Sequence, residues 1–258
     1  MFLAIDVGNT QGTLGLYDET GAMRHGWRMA TTKSDTSDTL RSRLGGYLHM
    51  DGFDYADVTE AGVACVVPML SRAWHRCLTE VLGHAPLMVS PGDDYGMEIR
   101  MPYPRSLGAD RIANAIAARA DYGAPVIVVD FGTATNIDVV DATGAYRGGT
   151  ISPGLMISAA ALFDCAAKLS NVPIEAPAHV LGDTTETAVQ SGLVIGAAAQ
   201  TEGLVARIKA ELGIESAPVV GTGGLARTVS HATDVFCCVD PDLTLRGIRD
   251  IWLRVNNR

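Results

Sequence analysis

The chain has 258 residues, of which 47% are apolar and 19% charged, and a formal net charge of −9. This is the balance of a folded chain rather than a disordered one, and it suits one large domain or two of about 120–130 residues. The acidic charge excludes broad binding to nucleic acid or anionic membranes, which need clustered positive charge, but not an acidic small molecule held by a few local cations.

The N-terminus, Met1-Phe2-Leu3-Ala4-Ile5-Asp6-Val7-Gly8-Asn9-Thr10, carries an apolar run too short, and too poor in basic residues, for a signal peptide. No run approaches the ~18–20 apolar residues of a membrane helix. The cysteines at 65, 77, 165, 237 and 238 are irregularly spaced and form no Cys-x-x-Cys pair, so a cytoplasmic chain with reduced thiols is expected. The histidines form no zinc-binding spacing.

Leu3–Ile5 reads as a buried strand, Gly8–Thr10 as a turn, Leu14–Tyr17 as the return strand and Asp18–Gly21 as a tight turn. Helical spacing follows over Thr36–Met50, with Thr36 or Ser37 as N-cap, and over Ser71–Leu82. Ala61–Val67 is a strand between them. Ala109–Tyr122 is an alanine-rich helix. The hairpin plan then recurs: strand Val126–Val129, turn Gly132–Thr135, strand Ile137–Val140, turn Asp141–Gly144. Asp6 and Gly8 match Asp130 and Gly132 at an offset of 124, and Asp18 and Gly21 match Asp141 and Gly144 at 123. Such a long period implies two domains built on one plan. A long helix over Ser191–Leu212 ends at Gly213, and short strands are expected at Pro218–Gly221 and Val235–Val239. Strands alternating with helices make an α/β fold, with the boundary of the two halves near 110–125.

Asp6–Thr10 and Asp130–Thr135 share one chemistry. A carboxylate closes a buried strand, a glycine opens the backbone by positive φ or close approach, and hydroxyls and N–H groups follow that can hold phosphate oxygens and a cation. A single turn of this kind is more often a hairpin satisfying its own hydrogen bonds; two in a duplicated chain favour a ligand. Gly221–Ala226 adds a glycine-rich turn that would admit a flat ligand such as adenine. No GxxxxGK[ST] phosphate loop occurs. Leu107–Arg111 opens the alanine-rich helix, with Asp110 in its first turn; the pair Asp110–Arg111 is either surface charge or a general base beside a cation. Gly148–Gly154 is either a connection or a turn beside a ligand. Asp183 or Thr184 would cap a helix.

In this order, DVGNT, LGADR, DFGTAT, GGTISPG and TGG resemble the type III pantothenate kinases of the acetate and sugar kinase/Hsp70/actin superfamily. The resemblance implies two ribonuclease H-like (actin-like ATPase) domains, here 1–115 and 116–258, in a homodimer. It also implies ATP-dependent phosphorylation of pantothenate, the first committed step towards coenzyme A, with Mg2+ and either K+ or NH4+. By the same resemblance, Asp6, Val7, Gly8, Asn9, Thr10, Gln11, Gly12 and Thr13 form the first phosphate loop, with Asp6 near Mg2+. Thr133 and Gly223 contact ATP, and Asp130 binds the monovalent cation. Met101, Gly108, Ala109, Asp110, Arg111 and Thr185 line the substrate site, with Asp110 as catalytic base. Family members usually carry a tyrosine where this chain has Met101, and Tyr103 is the nearby ring that could substitute. The family also includes proteins described as non-catalytic transcriptional accessory factors; retention of Asp6, Asp110, Asp130 and both threonine-rich loops argues for the enzyme. A superfamily kinase for another small alcohol is disfavoured by the LGADR motif.

Overall fold

A computed structural model describes residues 1–165 and 172–256. The first hairpin forms β1 (Phe2–Val7) and β2 (Gln11–Tyr17), followed by β3 (Met23–Ala30). Next come α1 (Ser37–Met50), β4 (Glu60–Cys65), α2 (Pro68–Leu82) and β5 (Leu87–Met88). α3 (Ala109–Tyr122) leads into the second hairpin, β6 (Val126–Phe131) and β7 (Ala134–Val140), and then β8 (Tyr146–Pro153). After α4 (Leu155–Cys165) come α5 (Thr185–Gln190), a π-helical turn at Ser191–Ile195 and α6 (Gly196–Leu212). β9 (Val219–Thr222), α7 (Ala226–Ser230), β10 (Cys238–Val239) and α8 (Leu243–Val255) complete the described chain.

The two sheets have the orders β3-β2-β1-β4-β5 and β10-β9-β6-β7-β8. Matched outward from β1 and β6, they have one topology. β1 pairs antiparallel with β2 and parallel with β4, as β6 does with β7 and β9. The likeness extends to irregularities: the outer ladders slip register between Leu16 and Tyr17 and between Val139 and Val140.

The two Asp-x-Thr-Gly turns are built alike. Asp18 Oδ1 accepts from Thr20 N at 2.9 Å, Thr20 Oγ1 at 2.6 Å and Ala22 N at 3.1 Å. Asp141 Oδ1 accepts from Thr143 N at 2.8 Å, Thr143 Oγ1 at 2.6 Å and Ala145 N at 3.2 Å. Gly21 and Gly144 take φ of 88° and 82°, the left-handed region that glycine enters without a Cβ clash. Burial raises the Asp141 carboxyl, but hydrogen bonds from Thr143, Arg147 and the backbone override it and hold the group at about 2. A carboxylate depressed on folding stabilises above its unfolded value near ~3.9 and loses that contribution as pH falls towards 2. Asp141→Asn should therefore narrow the gap in acid stability between pH ~4 and 2 relative to pH 7. Urea midpoints across that range check it, and parallel wild-type and variant curves would count against it.

The contacts group the chain into two compact units. The first holds Met1–Gly96, Pro102–Ala117 and the chain from Leu243 on; the second holds Met97–Met101 and Ala118–Asp242. In the first, Leu3, Ile5, Val7, Leu14 and Leu16 pack with Leu40, Leu44, Leu48, Leu70, Trp74 and Leu78 of α1 and α2. The opposite face, with Phe2, is covered by α8, whose Trp252 ring lies 4.8 Å from that of Phe2. A methyl at Gly62 of β4 would sit 2.7 Å from Ile248 Cγ2, so this strand is kept bare for the helix. Thr244 Oγ1 donates to Asn114 Oδ1 at 2.7 Å, and the Gly247 backbone lies against Ala113 O. The expected division at 115/116 assigned this last helix to the second half; its apolar stripe instead covers the first sheet. In the second unit, Ile127, Val129, Phe131, Ile137, Val139 and Val219 pack with Leu155, Val194, Ala198, Val205 and Val229.

Other sequence expectations shift in detail. The helix expected from Ser191 begins at Thr185 and passes through the π turn, and the strand expected over Val235–Val239 is confined to Cys238–Val239. The last residues of the expected second half, 257–258, lie outside the described residues.

Candidate functional site

In the first unit, Asp6 lies at the carboxyl end of β1, level with Thr13 on β2 and Ala64 on β4. Leu3, Ile5 and Val7 fill the core, so strand alternation puts Asp6 on the opposite face. The following loop closes on itself, Gly8 N donating to Gln11 O at 3.1 Å. A Cβ at Gly8 would meet that same oxygen at 2.9 Å, which explains the glycine by close approach. Thr31, at the end of β3, fastens the loop: its Oγ1 donates to Gly8 O at 2.8 Å and its N to Thr10 O at 3.0 Å. Asn9, Thr10 and Gln11 are left exposed.

Asp110 occupies the first turn of α3. The preceding Gly108 packs near Val66, directly after β4, and Val66 N donates to Val7 O at 3.1 Å. The start of α3 thus lies at the same carboxyl ends of the parallel strands as the Asp6 loop, the usual ligand edge of an α/β sheet. The Asp110 carboxylate folds back over Gly108, where a Cβ would sit 2.4 Å from Oδ1. It accepts from Arg111 N at 2.8 Å. Burial pushes the Asp110 carboxyl up, against the opposing pull of the Arg111 amide and guanidinium. A carboxylate that is half-buried and raised is a stronger proton acceptor than one in water.

In the second unit, Asp130 ends β6 level with Asn136 and Thr222. Gly132 N donates to Ala134 O at 3.0 Å to close the second loop, with Thr133 exposed at its tip. Gly132 needs neither positive φ nor close approach, because a Cβ would meet Asp130 Oδ1 at 3.5 Å and Ala134 O at 3.7 Å, ordinary contacts. The constraint falls on two distant glycines. Gly154, before α4, donates to Thr133 O at 3.1 Å, and a Cβ there would sit 2.4 Å from Thr133 O and 2.5 Å from Gly132 O. Gly223, with φ 89°, comes so close that its Cβ would sit 2.4 Å from Asp130 Oδ1 and 2.7 Å from Phe131 N. Gly223 therefore supports the second loop directly, and the open glycine is Gly224, with no atom near its Cβ position. Sequence spacing marked both stretches as glycine-rich but could not say which glycine supports Asp130.

Residues 97–101 run beside β8. Ile99 bridges Tyr146, Arg100 N donates to Tyr146 O at 2.8 Å, and Tyr146 N donates to Glu98 O at 2.8 Å. Arg100 reaches Glu98 at 2.7 Å and Asp141 at 3.5 Å, and Arg147 reaches Asp141 at 3.1 Å. Met101 is half-buried at the end of this fastened segment, whereas Tyr103 is 78% exposed beside the turn Pro104–Ser106. Asp141 was legible only as a turn residue; its hold on Arg100 joins positions 41 residues apart. Arg100→Ala should raise the KM for the acceptor substrate more than that for ATP, by about fivefold for the ~1 kcal/mol of fixation lost. Steady-state kinetics in both substrates check it; equal rises in both KM values would remove the segment from acceptor binding.

Thr185 begins α5 and is exposed. Thr184 is the N-cap, exchanging side-chain and backbone hydrogen bonds with Thr187, so Thr185 is left for other contacts. Thr185 lines a cavity of about 580 Å3 with Ser158, Leu162, Ala188, Val189, Gly192 and Leu193.

Among the described residues, no group of three or more His, Cys, Asp or Glu side chains forms a cage for a metal. Mg2+ in nucleotide sites is held by one or two carboxylates together with phosphates, and Asp6 fits that requirement. Asp130 offers a hard carboxylate oxygen at the mouth of the second loop, the ligand type that suits a hard cation. No helix of the described residues is long and apolar enough to cross a membrane.

The sequence profile of the type III pantothenate kinases matches residues 2–207. The chain belongs to this family. A type III pantothenate kinase of Thermomicrobium roseum is 42% identical over 99% of this chain and 98% of its own length. Among solved structures, a Campylobacter jejuni chain named for the Baf family of transcriptional activators superimposes with a TM-score of 0.63 at 18% identity, covering 99% of this chain and 100% of that one. The activator of 2-hydroxyisocaproyl-CoA dehydratase from Clostridium difficile, with bound ADPNP, gives 0.59 at 12% identity over 99% and 94%. At such identities the structural likeness speaks for the fold alone. The fold of this family member is the actin-like ATPase fold, two mixed five-stranded sheets with flanking helices.

Proposed function

We propose that this chain transfers the γ-phosphoryl group of ATP to the primary hydroxyl of pantothenate with Asp110 as general base. As a family member it is a pantothenate kinase of coenzyme A biosynthesis. The observation that carries the assignment of roles is the start of α3, where a carboxylate raised by burial stands beside Arg111 at the carboxyl ends of β1 and β4.

The acceptor hydroxyl oxygen forms a bond to the γ-phosphorus as the bond to ADP breaks, and its proton passes to Asp110. Arg111, Gly108 and Ala109 hold the acidic substrate, with Met101 and Thr185 as further contacts. Asp6–Thr13 and Thr133 orient the ATP phosphates, and the open face at Gly224 beside Gly223 suits the adenine side. Phosphoryl transfer asks mainly for such in-line positioning and charge neutralisation. Asp6 would hold Mg2+ and Asp130 the K+ or NH4+, cations that offset charge on the phosphate oxygens when bound.

A coupled ADP-release assay tests this: turnover is expected with pantothenate, Mg2+ and K+, and falls when Na+ replaces K+. Release no faster than in a pantothenate-free blank would sink it. A homodimer is part of the same reading. It is supported by the apolar side chains of Met156, Ile157 and Leu162, exposed along α4 beside the Thr185 cavity. Sedimentation showing only the 27.2 kDa protomer at micromolar concentration would count against it. The five free thiols suit the reducing cytoplasm, where we place the protein.

A further inference from the structure

The second unit carries a chemistry the kinase reaction does not use. Cys237 is exposed and Cys238 half-exposed, and they are consecutive at the start of β10. Their thiols interact, and the Tyr122 hydroxyl from the last turn of α3 lies 2.7 Å from Cys238 Sγ. β10 is an edge strand of two residues, paired among the described residues with β9 alone, through Cys238 with Val220 and Val239 with Gly221. Its fastening continues at Cys237 N, which donates to Val219 O at 2.9 Å, and Asp240 N, which donates to Gly221 O at 2.8 Å. The neighbouring Phe236 ring covers Gly221 and meets Phe131 edge-on at 5.9 Å.

We propose that Cys237 and Cys238 form a vicinal dithiol site for trivalent arsenicals, and that its occupation detaches β10 from β9 below the Gly221–Gly224 loop. Two sulfurs on consecutive residues at a sheet edge can reach one soft, three-coordinate centre by side-chain rotation and a turn of the single peptide between them. Burial holds the Cys237 thiol above its ordinary range, which slows reactions that need a free thiolate. Condensation with an arsenical removes both protons itself. In R–As=O + 2 R′SH → R–As(SR′)2 + H2O, two S–H bonds and the As=O bond break and two As–S bonds form. Both protons leave on the oxide oxygen, and arsenic stays trivalent. Closing the ring turns the peptide between the two cysteines, and the strain falls on the adjoining Cys237 N–Val219 O hydrogen bond at the start of a ladder only two residues long.

The test uses the full chain and phenylarsine oxide, with intact mass and thiol titration as readouts. One added phenylarsenic group is expected, with two of the five thiols lost, and a competing small dithiol should reverse it. Cys237→Ser and Cys238→Ser, both at the surface, should each abolish the adduct. Absence of the adduct on the wild type, or its persistence in either variant, overturns the site. Hydrogen exchange at the Cys237 and Asp240 amides should speed up by about tenfold or more in the adduct; unchanged protection overturns the detachment. None of these readouts depends on kinase activity.

Discussion

Asp110→Asn is expected to lower kcat by about 10²–10⁴ while leaving the KM for ATP within about threefold, the usual signature of losing a positioned base. The amide retains the shape and can accept from Arg111 N as the carboxylate does at 2.8 Å, so the helix start should survive. Burial disfavours the Asp110 charge, and so its ionised form opposes folding. A carboxyl raised on folding contributes most below its unfolded pKa and loses that contribution as pH rises through the folded value. Removing the charge should therefore leave Tm at pH 7 unchanged or slightly higher. The same elevation sets a pH signature: kcat/KM should fall on the acid side with a midpoint above the ~3.9 of a free aspartate, and that limb should vanish in Asp110→Asn. Wild-type turnover in the variant, or an acid limb that survives it, would remove Asp110 from the chemistry.

Gly223→Ala is the second large effect. Its φ of 89° is strained for any residue with a Cβ, and the added methyl would overlap Asp130 Oδ1 and the Phe131 backbone. Strain of ~1–3 kcal/mol with backbone displacement corresponds to a rise of about 10- to 100-fold in the KM for ATP. The effect should act through the second loop, because Leu225 N also donates to Phe131 O at 3.3 Å and draws the two segments together. Gly224→Ala meets no atom and is the control for added bulk alone: if nucleotide stacks on that face it too raises the KM, but without loss of stability. Titration with a non-hydrolysable ATP analogue and thermal melts separate the two. A Gly223→Ala protein with wild-type affinity for the analogue would dissociate the TGG turn from the nucleotide site.

What local chemistry specifies can be read from the order of the residues alone. The repeated Asp-x-Thr-Gly turn dictated two hairpins, because each aspartate bonds amides within four residues of itself. The alanine-rich stripe from Ala109 to Tyr122 became α3 as expected, with Asp110 in its first turn. The motif order was enough to reach the family, since each motif is contiguous. Tertiary structure decided which distant segments share a place. Gly154 sits under Thr133 and Gly223 against Asp130 because backbones meet there, and no spacing encodes which glycine is so used. Arg100 holds Asp141 across 41 residues, and α8, the last described helix, covers β1, the first strand. The placement of α8 follows from burying the apolar face of Ile248 and Trp252, a drive proportional to area and indifferent to sequence separation.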